Sequence, residues 1–186
     1  MEQKTINQET WHAAGTAGLI LGVISSAYLF SGQLIAGNLA PATLWQQALS
    51  MVLWGIKFSL CIWTMKFFMT KFAQENKITD KKQVFKMGVA AALLSSLVYC
   101  GFYLANMLYI SADFYDQVIG MTIQEMSGSL DSNSKDAIEK LLPMLPQIIF
   151  VSNFIYCFLF GTVLSAILSG RAIAQDPLNE FKSDEQ

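Results

Sequence analysis

The stretch from Leu44 to Phe72 is apolar over more than the roughly 20 residues an α-helix needs to cross a bilayer. It carries Lys57 near its middle, and Lys66, Lys71, Lys77, Lys81, Lys82 and Lys86 follow it. Lysine-rich connections stay on the cytoplasmic side of a membrane. The run therefore reads as a span whose C-terminal end lies inside. Composition agrees: 53% of the 186 residues are hydrophobic, 14% are charged, and mean hydropathy is +0.40. A soluble domain has roughly 45–50% apolar and about 25% charged residues. The expected fold is all-α, a polytopic membrane protein with four transmembrane helices forming one domain over residues 1–186.

The spans are expected at about 13–35, 46–68, 86–110 and 147–171. The first contains no charge from Ala13 to Ile35, and Trp45 is placed as an interfacial anchor for the second. The connection Ala36 to Thr43, with Gly37, Asn38 and Pro41, reads as a tight turn, and Asn76, Thr79 and Asp80 as a second turn ahead of span three. Lysines number zero in the first connection, six in the second together with the helix ends that flank it, and two in the third, so both termini, residues 1–10 and 175–186, belong on the cytoplasmic side. The alternative, a cleaved secretory signal ending near Ala40-Pro41-Ala42, fits less well. Its apolar run is longer than the 7 to 15 residues of a typical signal, and little positive charge precedes it.

Between spans three and four, residues 111–146 are expected to form helical structure outside the lipid. Phe114, Val118 and Met121, with Tyr115, Ile119, Thr122 and Met126 one step round, mark an apolar stripe opposite Asp113, Asp116, Gln117 and Gln124. This is an amphipathic helix that caps the bundle or receives a partner. Gly128 and Asp131-Ser132-Asn133-Ser134 should break it before a second short helix ending at Pro143. The acids here lack the spacing of a calcium loop.

Small residues recur at helical spacing in three spans: Ala14, Gly18, Gly22 and Ser26; Gly88, Ala92 and Ser96; Gly161, Ser165 and Ser169. Lipid gives helices no hydrophobic reason to associate, so close backbone approach through such strips is what holds them together. Packing within one chain is the expected use of Gly18, Gly22, Gly88 and Gly161, with a dimer interface as the other. Gly15-Thr16-Ala17-Gly18 set against Gly88-Val89-Ala90-Ala91 also hints at a duplicated hairpin.

Lys57 is the residue most open to a functional reading. An ammonium at mid-membrane costs about 2.5 to 3.5 kcal/mol on insertion scales, and no Asp or Glu lies in any apolar span to offset it. It can meet a partner's acid, a lipid phosphate or anionic substrate, or a wet cavity with Tyr and Asn partners, or it can remain a neutral amine. The simplest structural reading has it facing the bundle beside Tyr28, Tyr103 or Asn153; snorkelling along lipid is the other. Tyr28, Tyr103, Asn106 and Asn153 are the candidate members of an intramembrane polar site around it. No catalytic, cofactor or metal constellation is present. His12 stands alone at a span end, and Cys61, Cys100 and Cys157 fall one to a span, as packing residues do. No basic arm or nucleic-acid motif occurs.

The block Thr79 to Ile110, with Phe85-Lys86-Met87-Gly88 opening the third helix, resembles the central region of a family of small four-span membrane proteins of Bacteroidota, catalogued as domain of unknown function 4199. Gly18-Leu-Ile-Leu-Gly22, the amphipathic outer segment and the Gly- and Ser-bearing last helix extend the similarity over most of the chain. The resemblance implies an inner-membrane location and carries over no catalytic residues. Together these readings give a non-enzymatic accessory or assembly subunit, alone or as a homo-oligomer, packing against other membrane helices. Its lysine connector would meet anionic lipid headgroups, each basic residue contributing about 1 kcal/mol. The alternative is a small transporter or channel centred on Lys57.

Overall fold

The structure, a computed structural model, describes residues 2–36, 44–78, 80–127 and 140–174, and within them all side chains except those of 2–7, 35, 36, 125–127 and 174. In chain order the described helices are α1 (Glu2–Ala36), α2 (Leu44–Glu75), α3 (Lys81–Ala105), a π-helical turn (Asn106–Ile110), α4 (Ala112–Ser127), a 3-10 turn (Leu142–Met144) and α5 (Leu145–Ala174). Four segments are long and apolar enough to cross a membrane: Gln8–Leu34, Leu44–Glu75, Lys81–Ile110 and Leu142–Ile173. The chain is an all-α polytopic membrane protein.

The helices outrun the spans expected from hydropathy. α1 already begins at Glu2, and α2 and α3 are separated only by 76–80, so Lys66 and Lys71 ride on α2 and Lys81, Lys82 and Lys86 on α3. Lys, Gln and Glu are good helix formers; loss of hydropathy marks where lipid ends, not where a helix must. The turn expected at 36–43 apart from Ala36, the break expected at Gly128 and 131–134, most of the second short helix expected before Pro143 and the tail 175–186 lie outside the described residues. Pro143 sits in the 3-10 turn and Pro146 in the first turn of α5, where a missing N–H leaves no helical bond unmade.

The α2–α3 turn is built from both ends. The Ile78 N–H donates to the Ala73 carbonyl at 2.9 Å and the Lys77 N–H to that of Gln74 at 3.3 Å, closing α2 with Lys77 in the left-handed region at φ 49° and folding Ile78 back into the core. Asp80 then caps α3, its Oδ1 accepting from the Lys82 N–H at 2.9 Å. A lysine in left-handed backbone carries strain of about 1 to 2 kcal/mol that glycine does not. Lys77→Gly is therefore expected to stabilise the protein by about 1 kcal/mol, read as a later midpoint in an SDS unfolding titration followed by circular dichroism.

α3 is the central helix. It packs along α1 on one side and α5 on the other, while α2 closes the ring by touching α1 and α5 and has little contact with α3. Consecutive helices joined by a short turn thus diverge. The reason lies in the burial pattern. The buried core, including Ala14, Leu21, Met69, Phe72, Val84, Met87, Leu168 and Ala172, gathers at the lysine-rich end, and α2 has no buried residue before Thr64. From there towards Leu44 no residue of α2 is buried, and a gap lies between α2 and the other three long helices.

The glycine strips set how closely the remaining helices approach. On α1, a Cβ added at Gly18 would lie 2.7 Å from Leu94 Cβ and 2.9 Å from the Ala91 carbonyl oxygen, and one at Gly22 would lie 2.6 Å from Val98 Cβ. α1 and α3 therefore run parallel in backbone contact. On an adjacent face of α3, Gly88 meets Ser165 at 2.8 Å and Ala92 meets Gly161 at 2.5 Å from the same kind of added atom, an antiparallel register. Ser26 and Ser165 donate back to the carbonyls of Gly22 and Gly161 at 2.8 and 2.6 Å, which satisfies their hydroxyls inside their own helices. All four glycines contact helices of the same chain.

Candidate functional site

Lys57 points into the gap. Residues 54, 57, 58, 61 and 65 of α2 fall on one helical face by their spacing, and all of them line a cavity of about 130 Å³ that α1, α3 and α5 complete. Its polar members include Ser25, Cys61, Ser95, Tyr99, Tyr156 and Cys157. The Lys57 Nζ stands 4.8 Å from the ring centre of Tyr28 and 5.3 Å from that of Tyr99. It forms no hydrogen bond or ion pair with any described residue.

These distances account for a charge at this depth. A cation within about 6 Å of an aromatic centroid gains about 0.5 to 1 kcal/mol where exposed and about 2 where desolvated. Two such rings offset most of the roughly 3 kcal/mol that a mid-membrane lysine costs. The three N–H donors of the ammonium are left for something else.

A second polar cluster lies towards the end remote from the lysines. Asn106 is fully buried; its Nδ2 donates to Tyr115 Oη at 3.3 Å, and Gln33 Nε2 donates to the same oxygen at 3.2 Å. The Ser111 hydroxyl lies within donating distance of Asn106 Oδ1, 3.2 Å, and Gln33 Oε1, 3.4 Å. The backbone makes room for this by changing helix type. From Asn106 onward the turn is π-helical, closed by the Ser111 N–H donating to the Asn106 carbonyl at 2.8 Å. Such wide turns recur at functional sites. Tyrosines link the two clusters: Tyr99 to Tyr103 and Tyr103 to Tyr115, each with ring centres 6.1 Å apart.

The sequence-level candidates are thereby sorted. Tyr28 stands beside Lys57, Tyr103 lies between the two clusters, and Asn106 belongs to the far one. Asn153 joins neither: its Nδ2 donates to the Ile149 carbonyl of its own helix at 3.0 Å. Ser25, Ser95, Tyr99 and Tyr156 were not in the candidate set, and neither were Gln33 and Ser111. The expected amphipathic segment is helical as α4; Phe114, Tyr115 and Ile119 are half-buried, whereas Val118, Met121 and Thr122 of the stripe are exposed, and Tyr115 at its start ties it to α1 and the π-helical turn.

The cysteines divide too. Cys61 and Cys157 line the cavity, with Cys61 Sγ 3.9 Å from Ser25 Oγ, while Cys100 is 1% exposed. Among the described residues no three His, Cys, Asp or Glu side chains converge as a metal site would require. N-ethylmaleimide, which is small and membrane-permeant, is expected to modify Cys61 and Cys157 at least tenfold faster than Cys100. Mass spectrometry of the three peptides over a time course measures this, and equal rates would refute the cavity.

Four helices long and apolar enough to cross a membrane, with Lys57 lining a cavity between them, define a polytopic helical membrane protein with a lysine-bearing cavity. The chain belongs to the family described as protein of unknown function, DUF4199, whose profile matches residues 16–171 and so takes in all four long helices. No curated protein and no solved structure matches the chain.

Proposed function

We propose that this chain is a non-enzymatic protein of the inner membrane of a member of the Bacteroidota, a four-helix bundle that receives an anionic group at Lys57 in the manner of a small transporter or carrier. The observation that supports this is the direction of Lys57, into a cavity bounded by all four long helices with its hydrogen-bond donors unused. An anion that enters the cavity gains a charge-assisted interaction in a region of low dielectric. Both termini and the lysine-bearing α2–α3 turn lie in the cytoplasm, where Lys77, Lys81 and Lys82 meet anionic headgroups.

The accessory-subunit reading keeps one observation in its favour. The outer faces of α2 and α5 expose Trp54, Trp63, Phe67, Tyr156, Leu159 and Val163, a surface that other membrane helices can cover as well as lipid can. Two experiments separate the classes. In proteoliposomes, an anion flux that Lys57→Leu abolishes supports a carrier. Absence of flux, together with co-purification of the chain in mild detergent with a larger membrane complex, supports the subunit. Labelling of cysteines placed at 77 and 82 from the cell exterior would overturn the orientation.

A further inference from the structure

We infer that the anion received at Lys57 is the carboxylate of a single-tailed amphiphile that enters sideways from the bilayer between α2 and α5. This deepens the reading of Lys57 as an anion site and rests on it.

The entry route follows from which cavity walls also face lipid. Phe58 of α2 and Phe160 of α5 touch across the gap with ring centres 5.2 Å apart. One turn further from the lysine-rich end on each helix stand Trp54 and Tyr156, both lining the cavity and both largely exposed, 54% and 70%. The exposed side of these helices is the side that faces hydrocarbon, so this mouth opens to lipid and not to water. α2 has no buried residue at this level, so what lies across the mouth is the Phe58–Phe160 ring contact and not a buried interface.

The head group follows from charge, size and depth. One lysine, with no acid among the described lining residues, is neutralised by a single negative charge; a doubly charged phosphate monoester would leave one charge over. The cavity of about 130 Å³ is close to the about 150 Å³ void that holds one benzene ring. It takes a carboxylate with the first few methylenes and excludes a glycerophosphate head bearing two chains. Lys57 also sits about 13 Å along the helix from Lys66, near the middle of a hydrocarbon core about 30 Å thick. A head group at that depth must have its tail still in hydrocarbon, and the lateral mouth allows this. Around the anion, Lys57 Nζ supplies the charge, while Ser95 and Tyr99 offer hydroxyls that make no hydrogen bond to any described residue.

The test is equilibrium binding of radiolabelled palmitate to the purified full chain in a non-ionic maltoside, with four competitors. Unlabelled palmitate is expected to displace the label, and hexadecanol, phosphatidylglycerol and butyrate to displace it at least tenfold less well. Lys57→Met is expected to weaken binding about tenfold or more, the range for loss of a charge-assisted hydrogen bond, and Lys57→Arg to retain most of it. Should Lys57→Met fail to fold by circular dichroism, a palmitate analogue with a diazirine beside its carboxyl gives a second readout on the wild type. It is expected to label peptides containing Ser25, Lys57 or Tyr99. Labelling confined to the outward faces of α2 and α5, or hexadecanol competing as well as palmitate, overturns the inference. Phosphatidylglycerol or butyrate as the better competitor also overturns it, assigning the anion to a phospholipid or to water while the anion site at Lys57 stands. Failure of every anion to bind removes both.

Discussion

Gly18→Leu is expected to destabilise the protein by about 3 kcal/mol and to part α1 from α3. The first atom of any side chain there would lie 2.9 Å from the Ala91 carbonyl oxygen and 3.1 Å from the Ser95 nitrogen. Both belong to the backbone of a helix and cannot turn away as a side chain can. Overpacking typically costs about 1 to 3 kcal/mol, and a leucine adds three more carbons beyond the first clash. Inside a membrane the loss is not offset by hydrophobic collapse, because the separated surfaces are as well solvated by lipid as by each other. SDS unfolding followed by circular dichroism measures the change. Gly101→Leu supplies the comparison. It is on α3, where no atom lies within 4 Å of its added Cβ, so a change within about 0.5 kcal/mol is expected. If both variants lose stability alike, close approach of α1 and α3 is not what Gly18 provides.

Tyr115→Phe is expected to release α4 while leaving the four long helices in place. The phenolic oxygen accepts from both Gln33 and Asn106, and Asn106 is 0% exposed. Without that oxygen, a buried amide donor loses its partner, which costs about 1 to 3 kcal/mol. The remaining contacts of α4 are few and lie mostly with the adjoining π-helical turn. Hydrogen exchange across residues 112–123 should therefore quicken by about tenfold or more, with α3 from Val84 to Cys100 unchanged. A rise in exchange throughout α3 would mean that the cluster supports the whole ring and not α4 alone.

The spans were legible because an apolar run bounded by lysines admits one economical reading, and the glycine strips were legible because spacing alone puts residues four apart on one face. The partners of those strips were not. Gly88 and Ser165 lie on different helices, and nothing in their order along the chain says that α3, not α2, receives α5. Lys57 shows the same division. That Trp54, Phe58, Cys61 and Met65 share its face follows from spacing, yet the candidate set drew on Asn153, whose amide is satisfied one turn away in its own helix. Tyr115 entered the apolar stripe because a tyrosine ring counts as apolar until its hydroxyl finds donors. Gln33 is a lone amide near the end of an apolar run, and nothing local marks its partners.

By itself, the order of residues determined how many times this chain can cross a membrane and which helix surfaces are thin enough for close approach, because length, hydropathy and helical spacing are local properties. Only the tertiary structure decided that α2 diverges from α3, that the resulting gap surrounds Lys57, and that Asn106, Ser111, Gln33 and Tyr115 meet. Those outcomes depend on where small residues of separate helices come into contact, and on Gly55 and Ser59 in the far half of α2 not doing so: nothing lies within 4 Å of a Cβ added at Gly55, and Ser59 is exposed.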